Sequence, residues 1–335
     1  MIVIDADVLG RHRTGEETYI LNLLRELPRA APDLRFTAVT RHPDLVPEGV
    51  EPILLAAHSQ ELRMAWSLPR LLRRLRPDLA HFQHALPLGF SGRAVVTLHD
   101  LHFEYDAQVM GRLDRLTFKA VVPRAARRAR AVLAVSERTR QDAIRLYGLA
   151  PDKITVTPHG VDPAFSPDGS QGGQGGYLLF VGAVQERKNP LAAVAAAKEA
   201  GLPLVVAGPE KEPALARALR DAGADVRGFV DKPELALLYH GASALILPSR
   251  FEGFGLPVLE AMACGTPVVA APDPALREVG GDAAIYADDG DYAAAVRRAL
   301  ADRPRLVQVG LERARLFSWA ETARLTVEVY RRALA

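Results

Sequence analysis

Cysteine is all but absent: Cys264 stands alone, which excludes an intramolecular disulfide and any multi-cysteine metal centre. Its place inside an apolar helical stretch assigns it to packing rather than catalysis. Long hydrophobic runs are missing too. No stretch approaches the roughly 20 apolar residues that span a bilayer. The amino terminus opens on a strand (Met1 to Ile4) rather than on a basic, apolar leader, so a cytoplasmic protein is expected. Aromatic residues reach only 6%, and no aromatic platform accompanies the basic clusters. Nucleic acid is therefore not an expected partner.

What is present is globular composition: 335 residues, 49% apolar and 24% charged, room for two domains of ordinary size. The net charge of +2 hides an uneven distribution. Residues 1–160 hold 23 Lys+Arg against 18 Asp+Glu, a balance of +5, and the remainder holds 19 against 22, or −3. Arginine gathers in LPRLLRRLRP (Leu68 to Pro77) and between Arg112 and Arg130. Such clusters read as solvated helix faces, with contact to an anionic membrane surface or an anionic acceptor as the alternative.

Along the chain, short apolar runs alternate with helical patterns, the rhythm of a parallel sheet with helical crossovers. The runs are Ile2 to Ala6, Arg35 to Thr40, Leu79 to Gln83, Ala94 to Asp100, Ala131 to Ser136 and Ile154 to Gly160, with a helix from about Glu16 to Leu27. Ligands in such sheets bind at the carboxyl ends of strands, which here carry His99 and Asp100, Ser136, and His159 with Gly160. DGSQGGQGG (Asp168 to Gly176) then reads as a flexible linker. The rhythm restarts beyond it with Tyr177 to Ala183, Pro203 to Gly208, Asp225 to Val230, Ser243 to Pro248, Pro267 to Ala271 and Ala283 to Ala287. Two doubly wound domains facing across a cleft are expected. A last helix runs from about Trp319 to Ala333, with Ser318 as N-cap and Glu321 completing a capping box. Leu316, Trp319, Val327, Val329 and Tyr330 are available there for packing.

The stretch Leu245 to Ala271 concentrates the chemistry. A buried strand breaks at Pro248 into a glycine-spaced loop, and Pro257 sits where a helix begins. Glu252 lies in the loop and Glu260 about one turn into the helix. A helix start favours an anionic group, Gly253 and Gly255 let a ligand approach the main chain, and an acid one turn along can take ribose or sugar hydroxyls. An ordinary strand, loop and helix with two solvated glutamates has the same local pattern.

Taken together, GAVQERKN (Gly182 to Asn189), LPSRFEGFGLPVLEAMACGTPVV (Leu247 to Val269), TLHD (Thr97 to Asp100), SERTRQDAIRLYG (Ser136 to Gly148) and PHGVD (Pro158 to Asp162) resemble motifs of retaining family 4 glycosyltransferases, in family order over nearly the whole chain. The resemblance implies a GT-B fold of two Rossmann-like domains. It divides the chain into an acceptor-side domain over 1–168, a linker at 169–176, a nucleotide-sugar domain over 177–316 and a helix at 317–335 that packs back on the first domain. Glu252 and Glu260 match the family's paired acids. Glu260 is implied to hold the ribose hydroxyls and Glu252 to lie by the transferred sugar, helped by backbone N–H groups of Phe254, Gly255 and Leu256. Arg187 and Lys188, after Gly182, match cations that neutralise the departing diphosphate. Ala183 stands where many relatives carry arginine. His99 matches a first-domain histidine that touches the donor sugar or the acceptor, whereas His159 reads equally as a packing residue. Gly15 is implied to face the phosphates, with Glu16 and Glu17 capping the helix and pointing away.

The implied reaction moves a hexose with retained anomeric configuration, using a GDP- or UDP-sugar and no metal. Asp5-Ala6-Asp7 imitates the metal motif of a different glycosyltransferase fold and is read as coincidence. The RKN form of the basic motif leans toward GDP-mannose. Expected partners are the nucleotide-sugar donor, a glycan, lipid-linked or small-molecule acceptor, and peripheral contact with an anionic membrane at its inner face. A nucleotide-sugar epimerase on the same two-domain plan and a noncatalytic nucleotide-sugar-binding protein are the competing readings.

Overall fold

The computed structural model describes residues 1–11, 14–57, 59–105, 111–169 and 176–335. They divide into two compact units, Met1–Gly160 with Ser318–Ala335, and Val161–Phe317.

The first unit is built on seven parallel strands: β1 (Ile2–Asp5), β2 (Phe36–Thr40), β3 (Glu51–Leu54), β4 (Leu79–Gln83), β5 (Ala94–Leu98), β6 (Ala131–Ala134) and β7 (Ile154–Val156). Their spatial order is β3-β2-β1-β4-β5-β6-β7. Winding therefore reverses between β1 and β4, where the connections on either side lead away from each other. Six of these strands were expected, and β3 was not. It is an edge strand carrying Pro52 and mostly exposed, so neither apolar patterning nor ladder chemistry marks it. The core packs Val3, Val39, Phe82, Val96 and Val132 from the sheet against Leu72, Val122 and Tyr147 from the helices.

The last helix, Trp319–Leu334, belongs to this unit and packs beside Thr14–Ala30. Ser318 accepts from the Glu321 N–H at 3.2 Å, while the Glu321 carboxylate binds Arg324. The cap is thus formed from the serine side. Trp319, Val327, Val329 and Tyr330 are buried, whereas Leu316, expected to pack, is exposed because it precedes the helix. A Cβ on Gly160 would lie 2.1 Å from the Trp319 backbone nitrogen, so only glycine lets the chain pass the helix start there.

Asp5 and Asp7, at the end of β1, are held by arginine. Arg63, fully buried in a π-helical turn (Arg63–Ser67), meets Asp5 at 2.5 and 3.1 Å and Asp7 at 3.3 Å. Arg41 and Arg11 also pair with Asp7, at 2.9 and 2.7 Å.

The second unit has six parallel strands: β8 (Leu178–Val181), β9 (Leu204–Ala207), β10 (Asp225–Gly228), β11 (Ala244–Leu247), β12 (Val268–Ala270) and β13 (Ala284–Tyr286). Their order, β10-β9-β8-β11-β12-β13, reverses between β8 and β11. All six were expected, each shorter at its ends than the apolar run suggests. The unit starts at Val161, before the expected boundary at 168, because residues 161–169 anchor to its own helices. Phe165 packs edge-on against Tyr239 at 5.7 Å, and Asp162 pairs with Lys232. Residues 170–175 of the expected linker lie outside the described residues.

Replacing Arg63 by methionine strands the Asp5 carboxylate inside the first unit, at an expected cost of about 3–5 kcal/mol. Both tryptophans, Trp66 and Trp319, lie in this unit, so urea unfolding followed by tryptophan fluorescence isolates it. A loss below about 1 kcal/mol would contradict the pairing.

Candidate donor site and histidine cluster

In the second unit the reversal of winding brings the loops after β8 and β11 together. The chain leaving β8 makes a 3-10 turn (Glu186–Lys188) that ends at Asn189 in the left-handed conformation, φ 53°, before the helix Pro190–Glu199. The chain leaving β11 crosses residues 248–255 to the helix Leu256–Ala263. Main chain joins the loops: the Arg250 N–H donates to the Arg187 carbonyl at 2.9 Å, and Arg187 Nη1 donates to the Phe251 carbonyl at 3.0 Å. With the Gln185 amide oxygen facing it, the Arg187 guanidinium donates from Nε and Nη2 as well, at 2.9 and 3.1 Å.

Two of the sequence-derived residues meet directly. Lys188 Nζ forms an ion pair with Glu252 Oε1, both residues buried, and Arg187 Nη1 lies 4.0 Å from Glu252 Oε2. Burial pushes the Glu252 carboxyl up, but Lys188 and Arg187 more than offset it, and its pKa lies below the ordinary value. The site therefore holds a charged carboxylate between two cations. Arg187 supplies positive charge here although Ala183 does not.

Glu260, also buried, sits apart from that pair. It accepts from the Tyr239 hydroxyl at 2.8 Å, and burial raises its pKa from 4.5 to about 7. Tyr239 was not singled out in the sequence. Its signal is that of any large buried phenol, whose hydroxyl needs a partner. Gly255 caps the helix at φ +118°, a backbone conformation that favours glycine, and a Cβ there would press on the movable tip of Leu276, whose Cδ2 would lie 2.8 Å away. Leu256 begins the helix beside it, and the Phe254 side chain is buried against Phe317. Gly182 directly follows β8.

In the first unit, the ends of β4, β5 and β7 and the helix Thr14–Ala30 gather a histidine and aromatic cluster. His99 lies edge-on to Tyr19 at 4.9 Å, with His84 and His159 at 5.3 and 6.2 Å. Its Nε2 meets Gln83 Oε1 at 2.8 Å, and burial takes its pKa down to about 4. His159 stacks on Trp319 at 5.3 Å, the packing role its sequence position suggested. Asp100 binds His102 at 2.5 Å. Ser136 caps the helix Glu137–Tyr147 through the Thr139 N–H. Gly15 is exposed, with nothing within 4 Å of the position its Cβ would take. Of the acids beside it, Glu17 accepts from the Gly10 N–H at 2.7 Å and Glu16 faces His84 at 3.5 Å.

Residues 13–165 match the family model described as Glycosyltransferase Family 4, and residues 175–302 the model described as Glycosyl transferases group 1. The O-antigen chain mannosyltransferase B of Escherichia coli is 28% identical over 316 residues, 84% of this chain and 81% of its own length. The D-inositol 3-phosphate glycosyltransferase 2 of Catenulispora acidiphila is 35% identical over 245 residues. That alignment takes in 61% of this chain and 56% of the relative, so this chain matches little over half of it. A sucrose-phosphate synthase structure from Thermosynechococcus elongatus superposes with a TM-score of 0.78 at 22% identity over 98% of both chains, a likeness of fold.

The raised Glu260 carboxyl carries a pH signature. Folded, it keeps a proton that the unfolded chain releases near 4.5, so this contribution to stability is full below pH 4.5 and is lost as pH rises through about 7. Glu260→Gln removes the dependence and should gain on the parent protein by up to about 3 kcal/mol between pH 4.5 and 7. Calorimetric melts across that range check it, and a constant difference would contradict it.

Proposed function

Because the chain belongs to glycosyltransferase family 4 and has the GT-B fold, we propose that it moves a hexose from a nucleoside-diphosphate sugar to an acceptor hydroxyl with retention at the anomeric carbon. The observation that carries this reading is the buried Lys188–Glu252 pair, with Arg187 beside it, where winding reverses between β8 and β11. A departing diphosphate gains charge as the glycosidic bond breaks. Cations already fixed in a buried site stabilise that charge more than the ground state and need no reorganisation.

In this reading Lys188 and Arg187 take the diphosphate oxygens, with the N–H groups of Gly255 and Leu256 at the helix start and the backbone around Gly182 assisting. Glu252, held ionised, accepts from sugar hydroxyls and balances positive charge at the anomeric carbon. Its engagement with Lys188 makes it a poor nucleophile. The bond from the anomeric carbon to the phosphate oxygen breaks while the bond to the acceptor oxygen forms on the same face, and the acceptor proton passes to the departing phosphate. Glu260 takes the ribose hydroxyls, whose O–H groups favour its ionised form. His99 meets a hydroxyl of the donor sugar or acceptor. The reaction as written requires no metal.

The mannosyltransferase relative favours GDP-mannose as donor, with a UDP-sugar as the other choice, and an acceptor that is a glycan, lipid-linked or a small molecule. Peripheral contact with an anionic membrane is supported by one face of the first unit. Leu62, Trp66 and Leu88 are each more than half exposed. The Leu88 N–H bonds to the Met64 carbonyl at 2.9 Å, and the Arg70 guanidinium stands 4.9 Å from the Trp66 ring. Arg73 and Arg74 are exposed on the adjoining helix Leu68–Leu75. Exposed apolar side chains with Arg70 at the Trp66 ring and further arginines on the adjoining helix suit a negatively charged lipid surface.

Lys188→Ala and Glu252→Ala should each lose on the order of 10²-fold or more in turnover. A nucleotide-sugar panel with NMR of the product anomer reads donor and stereochemistry together, and an inverted product or isomerised free donor would overturn the reading. On the membrane side, vesicles containing phosphatidylglycerol should blue-shift Trp66 emission and bind the protein, while neutral vesicles should not. Trp66→Ala with Arg73→Ser should abolish that binding and leave turnover on a water-soluble acceptor intact.

A further inference from the structure

The end of β4 holds a polar group that packing does not explain. Gln83 is the last residue of β4 and pairs in register with Thr97 of β5, two residues before His99. Adjacent parallel strands put paired residues on one face, and residues two apart share it. Gln83 and His99 therefore meet diagonally, Oε1 to Nε2 at 2.8 Å. The same step one rung earlier joins His81 Nε2 to Thr97 Oγ1 at 2.7 Å. At its other end, the Gln83 Nε2 is buried without a hydrogen-bond partner. An apolar residue of similar length would spare the fold that orphaned amide.

We infer that Gln83 is a positioning residue: by accepting the Nε2–H of His99, it holds the imidazole in one neutral tautomer and leaves Nδ1 as a lone-pair acceptor for a ligand hydroxyl. Nδ1 has no partner among the described residues. The groups facing the ring agree with a neutral state. Burial dominates, Glu16 and Asp100 draw the pKa up, His84 draws it down, and it settles near 4, so the ring is uncharged at neutral pH. Tyr19 and His159 pack on it as rings. A neutral imidazole that donates through Nε2 can only accept at Nδ1. The ligand atom His99 meets must then be an O–H donor, on the donor sugar or on the acceptor. A phosphate oxygen is excluded. This specificity rests on the reading that His99 faces a ligand, whereas the tautomer does not.

Long-range 15N–1H spectra of histidine-labelled protein without ligand, with His99 assigned by its loss in His99→Ala, test the tautomer directly. The Nε2–H form is expected in the parent chain. Gln83→Leu should give a mixture of tautomers. The near-isosteric Gln83→Glu should raise the ring's pKa, since a carboxylate at Nε2 favours imidazolium, and add a new ionisation to the pH profile of kcat/KM. A resting Nδ1–H tautomer, or a ring unmoved by both substitutions, overturns the inference. Kinetically, Gln83→Leu should cost about tenfold in kcat/KM and nothing further in a His99→Ala background. Deoxygenated donors and acceptors then decide which partner brings the hydroxyl: the analogue lacking it should lose its sensitivity to His99→Ala. If His99→Ala leaves turnover unchanged while the tautomer is as expected, the ligand role fails and the Gln83 assignment stands.

Discussion

Charge buried beside a reversing strand order has to be paired, and both units obey that constraint. In each parallel sheet the connections diverge on the two sides of the first strand, β1 or β8, leaving the strand ends uncovered by their own helices. Polar groups can stand there, but partly desolvated ones must find partners. The first unit answers with two aspartates around a fully buried arginine, the second with Glu252 against Lys188. The two answers differ in sign of use. Arg63 is enclosed and serves the fold, whereas Lys188 and Arg187 lie on loops after strand ends, where a second anion can compete for them.

The first unit adds a device of its own. A line of side-chain hydrogen bonds runs from Tyr330 on the last helix through His81 and Thr97 to Tyr19, at 2.6, 2.7 and 3.0 Å. Burial drives the His81 pKa down to about 3, so the line is neutral and costs no charge desolvation. It fixes the last helix and the helix Thr14–Ala30 to one face of β4 and β5, and the same face carries Gln83 and His99 one step further along the strands. Rigidity at the sheet centre thus extends to the ring that stands at its edge.

Much of this was legible in the sequence. Apolar runs ending in polar or glycine-rich turns mark twelve of the thirteen strands among the described residues, and the motifs at those ends place Arg187, Lys188 and Glu252 in the turns after β8 and β11 and Glu260 in the helix that follows. Pairing was not legible. Lys188 and Glu252 lie 64 residues apart, and nothing local says that a cation and an acid from different motifs will neutralise each other. Gln83 reads as the last residue of a strand, and Tyr239 as one more core aromatic. Both acquire meaning only from what the sheet register or a neighbouring helix sets beside them. β3 escapes because an exposed edge strand with a proline has neither alternation nor an apolar run to announce it. Nor does the sequence show that Asp5 and Asp7 share an arginine, Arg63, 58 residues on from Asp5.

The path of the backbone bears on the order in which the protein is made. The second unit enters at Val161 and leaves at Phe317, and these two residues hydrogen-bond at 3.3 Å, so it is a closed insertion in the first. On a ribosome, all of the second unit emerges before the helix that completes the first. His81 must wait 249 residues for Tyr330, and until then Tyr19, Leu23 and Leu27 lack the helix that packs beside theirs. The inserted unit can fold from its own contacts, while the unit synthesised first is finished last. Loss of the final helix would therefore harm the amino-terminal half of the chain and spare the stretch between.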